Sequence, residues 1–242
     1  MTQPGVLLLP PVAGLHLRFS CTAPLAEALA AVGALPVDEH VVVGLGPALA
    51  DVPGLRAFPD LDGPEASAPA TQSDLWVWVR ADSPGDAYDR ATAVVAALRG
   101  AFVVEDELPT FLFRGGRDLS DYEDGTENPA GDAAAEAVWV PDGPFAGGTF
   151  VAVQRWVHDL GVMTRMSQTE RDHTIGRDQH SNEELADAPR SAHVKRAAQE
   201  SFDPPAFMLR RSMPWGGVRE HGLLFVAFGQ DLDRFERVLR RM

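Results

Sequence analysis

Two hydrophobic periods alternate along the first half of the chain. Residues 14–20 (GLHLRFS) place apolar side chains at every second position, the repeat of a half-buried strand. Residues 22–33 follow with an alanine-rich helical pattern, and Thr22 stands where an N-cap is expected. Residues 41–44 and 75–80 (LWVWVR) predict two further strands, joined by a long loop rich in Pro, Gly and Ala. The strongest helix covers 83–100 (SPGDAYDRATAVVAALRG), with Ser83 as its cap, Pro84 in its first turn and Gly100 as its terminator. Short β signals at 101–104 and 111–113 end this half.

A polar, glycine-rich passage then runs from 115 to 148, far longer than most connections and therefore a place to look for function. Beyond it the order of the first half returns. Residues 148–157 (GTFVAVQRWV) predict a strand and 160–170 a helix; after an irregular stretch at 171–190, 191–200 reads as helical. Strands are expected at 207–211 and 223–229 (LLFVAFG), and an amphipathic helix at 231–242. Strand, helix, strands and helix, stated twice, predict an α+β fold of two halves with antiparallel sheets, divided at 1–120 and 121–242.

Charge narrows the range of partners. The 242 residues hold 21 basic and 35 acidic side chains, a formal charge of −14, which argues against nucleic acid and against anionic lipid. The single cysteine, Cys21, has no intramolecular partner, as in proteins of a reducing cytoplasm. A proline-interrupted amino terminus without a basic leader, and the lack of any run near the ~20 residues of a membrane span, agree with a cytoplasmic location. Only Lys195 is lysine, and most of the arginines lie beyond residue 120, an arrangement suited to an anionic ligand there.

Several chemical motifs can be set aside. Residues 43–49 (VGLGPAL) start like a dinucleotide fingerprint, but Leu49 replaces its third glycine and Pro47 lacks a donor. No Cys-x-x-Cys-His is present, which excludes covalent c-type haem. His173, Asp178 and His180 are the residue types of a non-haem iron site, yet their crowding in one polar stretch fits a surface loop better. Residues 124–129 (DGTENP) would by themselves be a turn.

What sets that turn apart is its company. The series RDLS, DGTENP, GGTFVAVQRWVHDL, IGR, SAHVKR and LRRSMPWG, in that order from Arg117 onward, resembles the bacterial dye-decolorizing (DyP-type) haem peroxidases, and LWVWVRAD fits their first half. The resemblance is to the compact, cytoplasmic branch. It implies two ferredoxin-like halves of the dimeric α+β barrel type and a haem b held mainly by the second. It also implies a homo-oligomer that uses hydrogen peroxide and small-molecule reductants. By the same resemblance His193 is the proximal iron ligand, Asp124 the distal acid–base residue and Arg210 the distal arginine. Ser212 falls on the distal side and Arg177 beside a haem propionate, with Thr126, Glu127, Asn128, Gln154 and Phe225 as further pocket contacts. No extension for docking inside a protein shell is expected after Met242. One position departs from the family's Gly-x-x-Asp-Gly: Asp121 stands at the leading glycine, so a positive φ there would be costly.

The residue types suit peroxide cleavage. A neutral imidazole can coordinate ferric iron and leave the opposite face open. A carboxylate can move a proton from the near to the far peroxide oxygen, and a guanidinium can steady the departing charge. With an ordinary carboxylate pKa of ~4, Asp124 predicts activity on the acid side of neutrality. Tyr122, Trp139, Trp156 and Trp215 are candidate relays for electrons from bulky donors. Two other readings stay open: a non-enzymatic haem-binding protein for storage, delivery or iron release, favoured by Asp121, and a cofactor-free α+β interaction domain.

Overall fold

The computed structural model describes residues 2–63 and 67–242, so residues 64–66 of the predicted long loop lie outside the described residues. The chain divides into two compact units, Met1–Phe111 and Leu112–Met242.

The first unit runs β1 (Ala13–Cys21), α1 (Leu25–Gly33), β2 (Val41–Leu45), a small hairpin of β3 (Leu61–Asp62) and β4 (Ser67–Ala68), β5 (Leu75–Ala81), α2 (Pro84–Leu98) and β6 (Phe102–Phe111). Its main sheet has the order β2-β5-β1-β6, antiparallel throughout, which is the split strand–helix–strand pattern of a ferredoxin-like unit. Alternation decides the two faces. Leu17, Phe19, Val77 and Val79 join Val94 and Leu98 of α2 and Ala28 of α1 in one apolar core. On the other face His16 stacks on Trp76 and Trp78, with centroids 5.7 and 5.4 Å away. His16 is buried, and neither of its ring nitrogens finds a partner among the described residues. Burial pushes its pKa down to about 3, so the folded unit holds a neutral imidazole.

The helix ends bear out one cap and correct another. Ser83 Oγ accepts from Asp86 N at 3.1 Å, and Gly100 takes φ 93° just past α2. Thr22 is no cap: α1 begins three residues later, at Leu25, behind Pro24. The two short β signals near 101–113 belong to one strand, β6, which tolerates Pro109.

The second unit contains α3 (Asp132–Val138), β7 (Phe150–Val157), α4 (Leu160–Arg165), α5 (Gln168–Ile175), α6 (His193–Ala197), β8 (Leu209–Arg210), β9 (Met213–Gly216), β10 (His221–Gly229) and α7 (Leu232–Arg241). Strand β10 is central, flanked by β7 on one side and by β8 and β9 in line on the other. A fourth full strand is absent from this unit among the described residues. The predicted helix at 160–170 is two helices, because Ser167 and Glu170 form a reciprocal capping box that starts α5 afresh. Helix α7 begins at Asp231, whose carboxylate accepts from Arg234 N at 2.9 Å. No helix among the described residues is long and apolar enough to cross a membrane.

Candidate active site

All of the predicted site residues lie in the second unit, on three supports. The first is the loop before α3. It is folded tightly on itself: Asp121 N donates to Asp118 O (2.8 Å), Asp118 N to Tyr122 O (2.9 Å) and Asp124 N to Gly116 O (3.2 Å). Asp121 takes φ 70°, the left-handed conformation suspected from the sequence, and its carboxylate pairs with Arg114 at 2.7 Å. Gly125 (φ 78°) closes against Asn128, since a Cβ there would stand 2.6 Å from Asn128 Nδ2.

The second support is the sheet. Asn128 Oδ1 accepts from Arg210 N at 2.8 Å and its Nδ2 donates to Arg210 O at 3.0 Å, a two-point clamp that fixes the loop to β8. Between β8 and β9 the ladder is interrupted: Val226 N donates to Ser212 Oγ at 3.3 Å. Strand register then gathers residues on one face. Arg210 lies opposite Ala227, Ser212 falls in line with Phe225, and Phe225 lies opposite Gln154. Phe225 also meets Phe235 of α7, ring centroids 5.7 Å apart, so this face looks toward the helices.

Helix α6 is the third support. It starts at His193 and packs against α5 and α7, and Arg241 of α7 donates to the carbonyls of Arg196 and Ala198 at 2.7 Å each.

Electrostatics brings the three supports to one place. Burial lowers the pKa of His193, the Arg210 charge lowers it further and Asp118 works against both. Burial raises that of Asp124, opposed by Arg210 and reinforced by Asp118. Carboxylate, guanidinium and imidazole thus share one field. His193 is nevertheless exposed to solvent on one side, and its imidazole makes no hydrogen bond or ion pair among the described residues. Arg210 Nε is buried without a partner among them.

Other predicted contacts are engaged within the protein. The Arg177 guanidinium pairs with Glu127, lies 3.9 Å from Glu184 and donates to Asn182 O at 2.8 Å. Thr126 Oγ1 accepts from Asn182 Nδ2 at 2.9 Å. His173, Asp178 and His180 hold no metal-binding group: His173 sits on α5 near Asp187, and Asp178 accepts from the backbone of His180 and Ser181.

Two pairings escape a reading of the sequence. His158 Nε2 meets Asp118 Oδ1 at 2.8 Å. Burial opposes a charge on Asp118, but hydrogen bonds from His158 and Ser120 outweigh it and keep its carboxyl below the usual range. Tyr122 donates its hydroxyl to buried Asp172 at 2.5 Å. Both acids were visible only as members of polar runs; their partners lie 40 and 50 residues away and leave no periodic trace.

An α+β chain whose second unit joins a free imidazole, a half-buried carboxylate and an arginine whose Nε has no partner among the described residues has the parts of a redox or acid–base centre. Comparison with known proteins gives the family. The profile described as Dyp-type peroxidase, C-terminal, matches residues 115–242, and that described as Dyp-type peroxidase, N-terminal, matches 18–112. The chain belongs to the Dyp-type peroxidase family. It is 35% identical over 195 residues to a dye-decolorizing peroxidase of Mycolicibacterium paratuberculosis, covering 78% of this chain and 55% of that one. A dye-decolorizing peroxidase of Mycobacterium tuberculosis is 34% identical over 195 residues, covering 78% and 58%. The chain therefore spans little more than half the length of these curated relatives. Among solved structures, a dye-decolorizing protein from V. cholerae superposes with a TM-score of 0.90 at 29% identity, over 100% of this chain and 88% of that one. A Rhodococcus jostii RHA1 DypB variant in complex with heme gives 0.87 at 29% identity, over 98% and 86%.

Proposed function

We propose that this chain holds haem b and uses hydrogen peroxide to oxidise dyes, phenols or similar one-electron donors. The observation that carries the reading is the common field of Asp124, Arg210 and His193, with His193 and Arg210 Nε left unpartnered inside it.

The residues fit the cofactor on their own chemistry. Burial and the Arg210 charge keep His193 neutral, which is the form whose nitrogen lone pair binds iron. An orphaned buried guanidinium nitrogen is costly unless a ligand satisfies it. The face carrying Ser212, Phe225 and Gln154 offers an aromatic ring between two polar side chains, and Arg177 offers a cation for a carboxylate in place of Glu127. In this reading Thr126, Glu127 and Asn128 line the pocket edge, Asn128 acting through its hold on Arg210.

Bound there, haem supplies the redox chemistry that accepts two oxidising equivalents from peroxide and returns them to reductants one at a time. Asp124 takes the proton from the near peroxide oxygen and delivers it to the far one. Arg210 keeps its charge throughout and stabilises the negative charge that builds on the departing oxygen. Asp118 stays ionised through its hydrogen bonds from His158 and Ser120, and its charge adds to the upward shift of Asp124. That shift changes the expectation drawn from the sequence. Turnover needs ionised Asp124, so its acid limb lies above the ordinary carboxylate range and the optimum moves toward neutrality.

A homo-oligomer in the cytoplasm, acting on small reductants, is the setting we infer; the acidic charge and the lone Cys21 support it. Reconstitution with haemin tests the whole reading. Arg210→Leu should retain the haem absorption band and lose about 10²-fold or more in turnover of a dye with peroxide. A wild-type protein that takes up haemin but leaves peroxide and dye unchanged would overturn the peroxidase reading.

A further inference from the structure

Tyr122 is a buried titratable group that the mechanism above leaves unused. It is 4% exposed, and its hydroxyl donates to Asp172 Oδ1 at 2.5 Å. Asp172 is itself buried and forms no ion pair among the described residues; Gln168 Nε2 at 2.8 Å and Gln179 N at 3.2 Å complete its shell. Its hydrogen-bond donors are thus neutral groups, with the Arg171 charge acting on the Tyr122 hydroxyl beside it, so Oδ1 is placed to take up the phenolic proton. Tyr122 is also two residues from Asp124, so their Cα atoms are at most about 7 Å apart.

We propose that Tyr122 is a redox-active residue that gives one electron to peroxide-oxidised haem in the adjoining site while its hydroxyl proton passes to Asp172. The inference rests on the haem peroxidase reading. The phenolic O–H bond breaks and an O–H bond forms on Asp172 Oδ1. Tyr122 is oxidised by one electron to a neutral phenoxyl radical, and the haem centre is reduced by one. An external one-electron donor restores the phenol, and Asp172 returns the proton. Transfer across this hydrogen bond avoids a buried phenol cation and discharges the buried carboxylate, so both desolvation terms favour it. Burial, then the hydrogen bond and charge of Asp172, raise the pKa of Tyr122, so the resting group keeps its proton until the electron leaves.

The composition makes the test clean, because the sequence has two tyrosines and the other, Tyr88, is 65% exposed on α2. Haem-loaded protein carrying ring-deuterated tyrosine is mixed with one equivalent of hydrogen peroxide, without reductant, freeze-quenched and examined by electron paramagnetic resonance. We expect a tyrosyl signal narrowed by the deuterium, retained in Tyr88→Phe and reduced at least tenfold in Tyr122→Phe. Asp172→Asn, which keeps the shape of the site and removes the proton acceptor, should lower the yield at least threefold. Survival of the signal in Tyr122→Phe, its loss in Tyr88→Phe, or full yield in Asp172→Asn overturns the proposal. Absorption spectra of the same samples separate the two levels. A haem spectrum changed by peroxide with no tyrosyl radical overturns the role of Tyr122 alone; a spectrum that peroxide leaves unchanged overturns the peroxidase reading and this inference with it.

Discussion

Asp124 combines a functional and a structural consequence in one side chain. Its carboxyl is raised because burial disfavours the anion more than Arg210 favours it, so at neutral pH the charge opposes folding. Asp124→Asn should therefore cost about 10²-fold or more in turnover and leave the cofactor-free protein at least as stable at pH 7 as the parent. Thermal melts beside dye assays check both halves. A variant that lost stability and activity together would mark Asp124 as a packing residue instead. The residues of this centre were legible because DGTEN, SAHVK and LRRS carry their chemistry in short runs. Their helpers were not: the His158–Asp118 and Tyr122–Asp172 pairs are made by folding between distant segments.

At the scale of elements, the join between α5 and α6 controls His193. Gly176 ends α5 at φ 96°, and a Cβ there would stand 2.4 Å from Val194 Cγ2 and 3.2 Å from Ala192 Cβ, the two neighbours of His193. Gly176→Ala should cost about 1–3 kcal/mol in stability through left-handed strain and crowding, and weaken haemin binding by displacing α6. Titration of the variant with haemin, followed by absorption, measures the second effect. Asp121 offers the opposite case. Aspartate tolerates a φ of 70° and has Arg114 as a partner, so Asp121→Gly should stay within about 1 kcal/mol of the parent in urea unfolding, whereas Asp121→Val should lose about 1–3 kcal/mol. Strands and the capped helix α2 were readable because alternation and cap residues are local signals. Short α3 was hidden in a polar, glycine-rich passage, and the break between α4 and α5 depends on a capping box inside a continuous helical pattern.

For the whole molecule, pH links two histidines to stability, buried His16 above all. Unfolded His16 takes up a proton near ~6.5, whereas the folded form refuses it until about 3. Across that window the unfolded state binds the extra proton, so stability falls as pH falls, by about 1.4 kcal/mol per unit for one such group. His193 acts in the same direction in the cofactor-free protein, since its folded pKa is also lowered. Urea midpoints between pH 7 and pH 4.5 should therefore decline, and His16→Phe should flatten the slope; an unchanged slope would place the acid sensitivity elsewhere. The alternation of strands and helices in the first unit followed from its repeated periods and its ferredoxin-like character from the family resemblance, whereas the in-line pair β8 and β9 followed from neither, because Ser212 takes over a ladder hydrogen bond that a regular strand would give to its backbone.

His193 would hold the haem iron, with Asp124 and Arg210 left to act on peroxide. The most direct measurement is an absorption titration of the cofactor-free protein with haemin, for the parent and for His193→Ala. We expect a saturable Soret band at one haem per chain in the parent, and a weakened, shifted band with lower affinity in the variant. An identical spectrum and affinity for both proteins would contradict that role for His193.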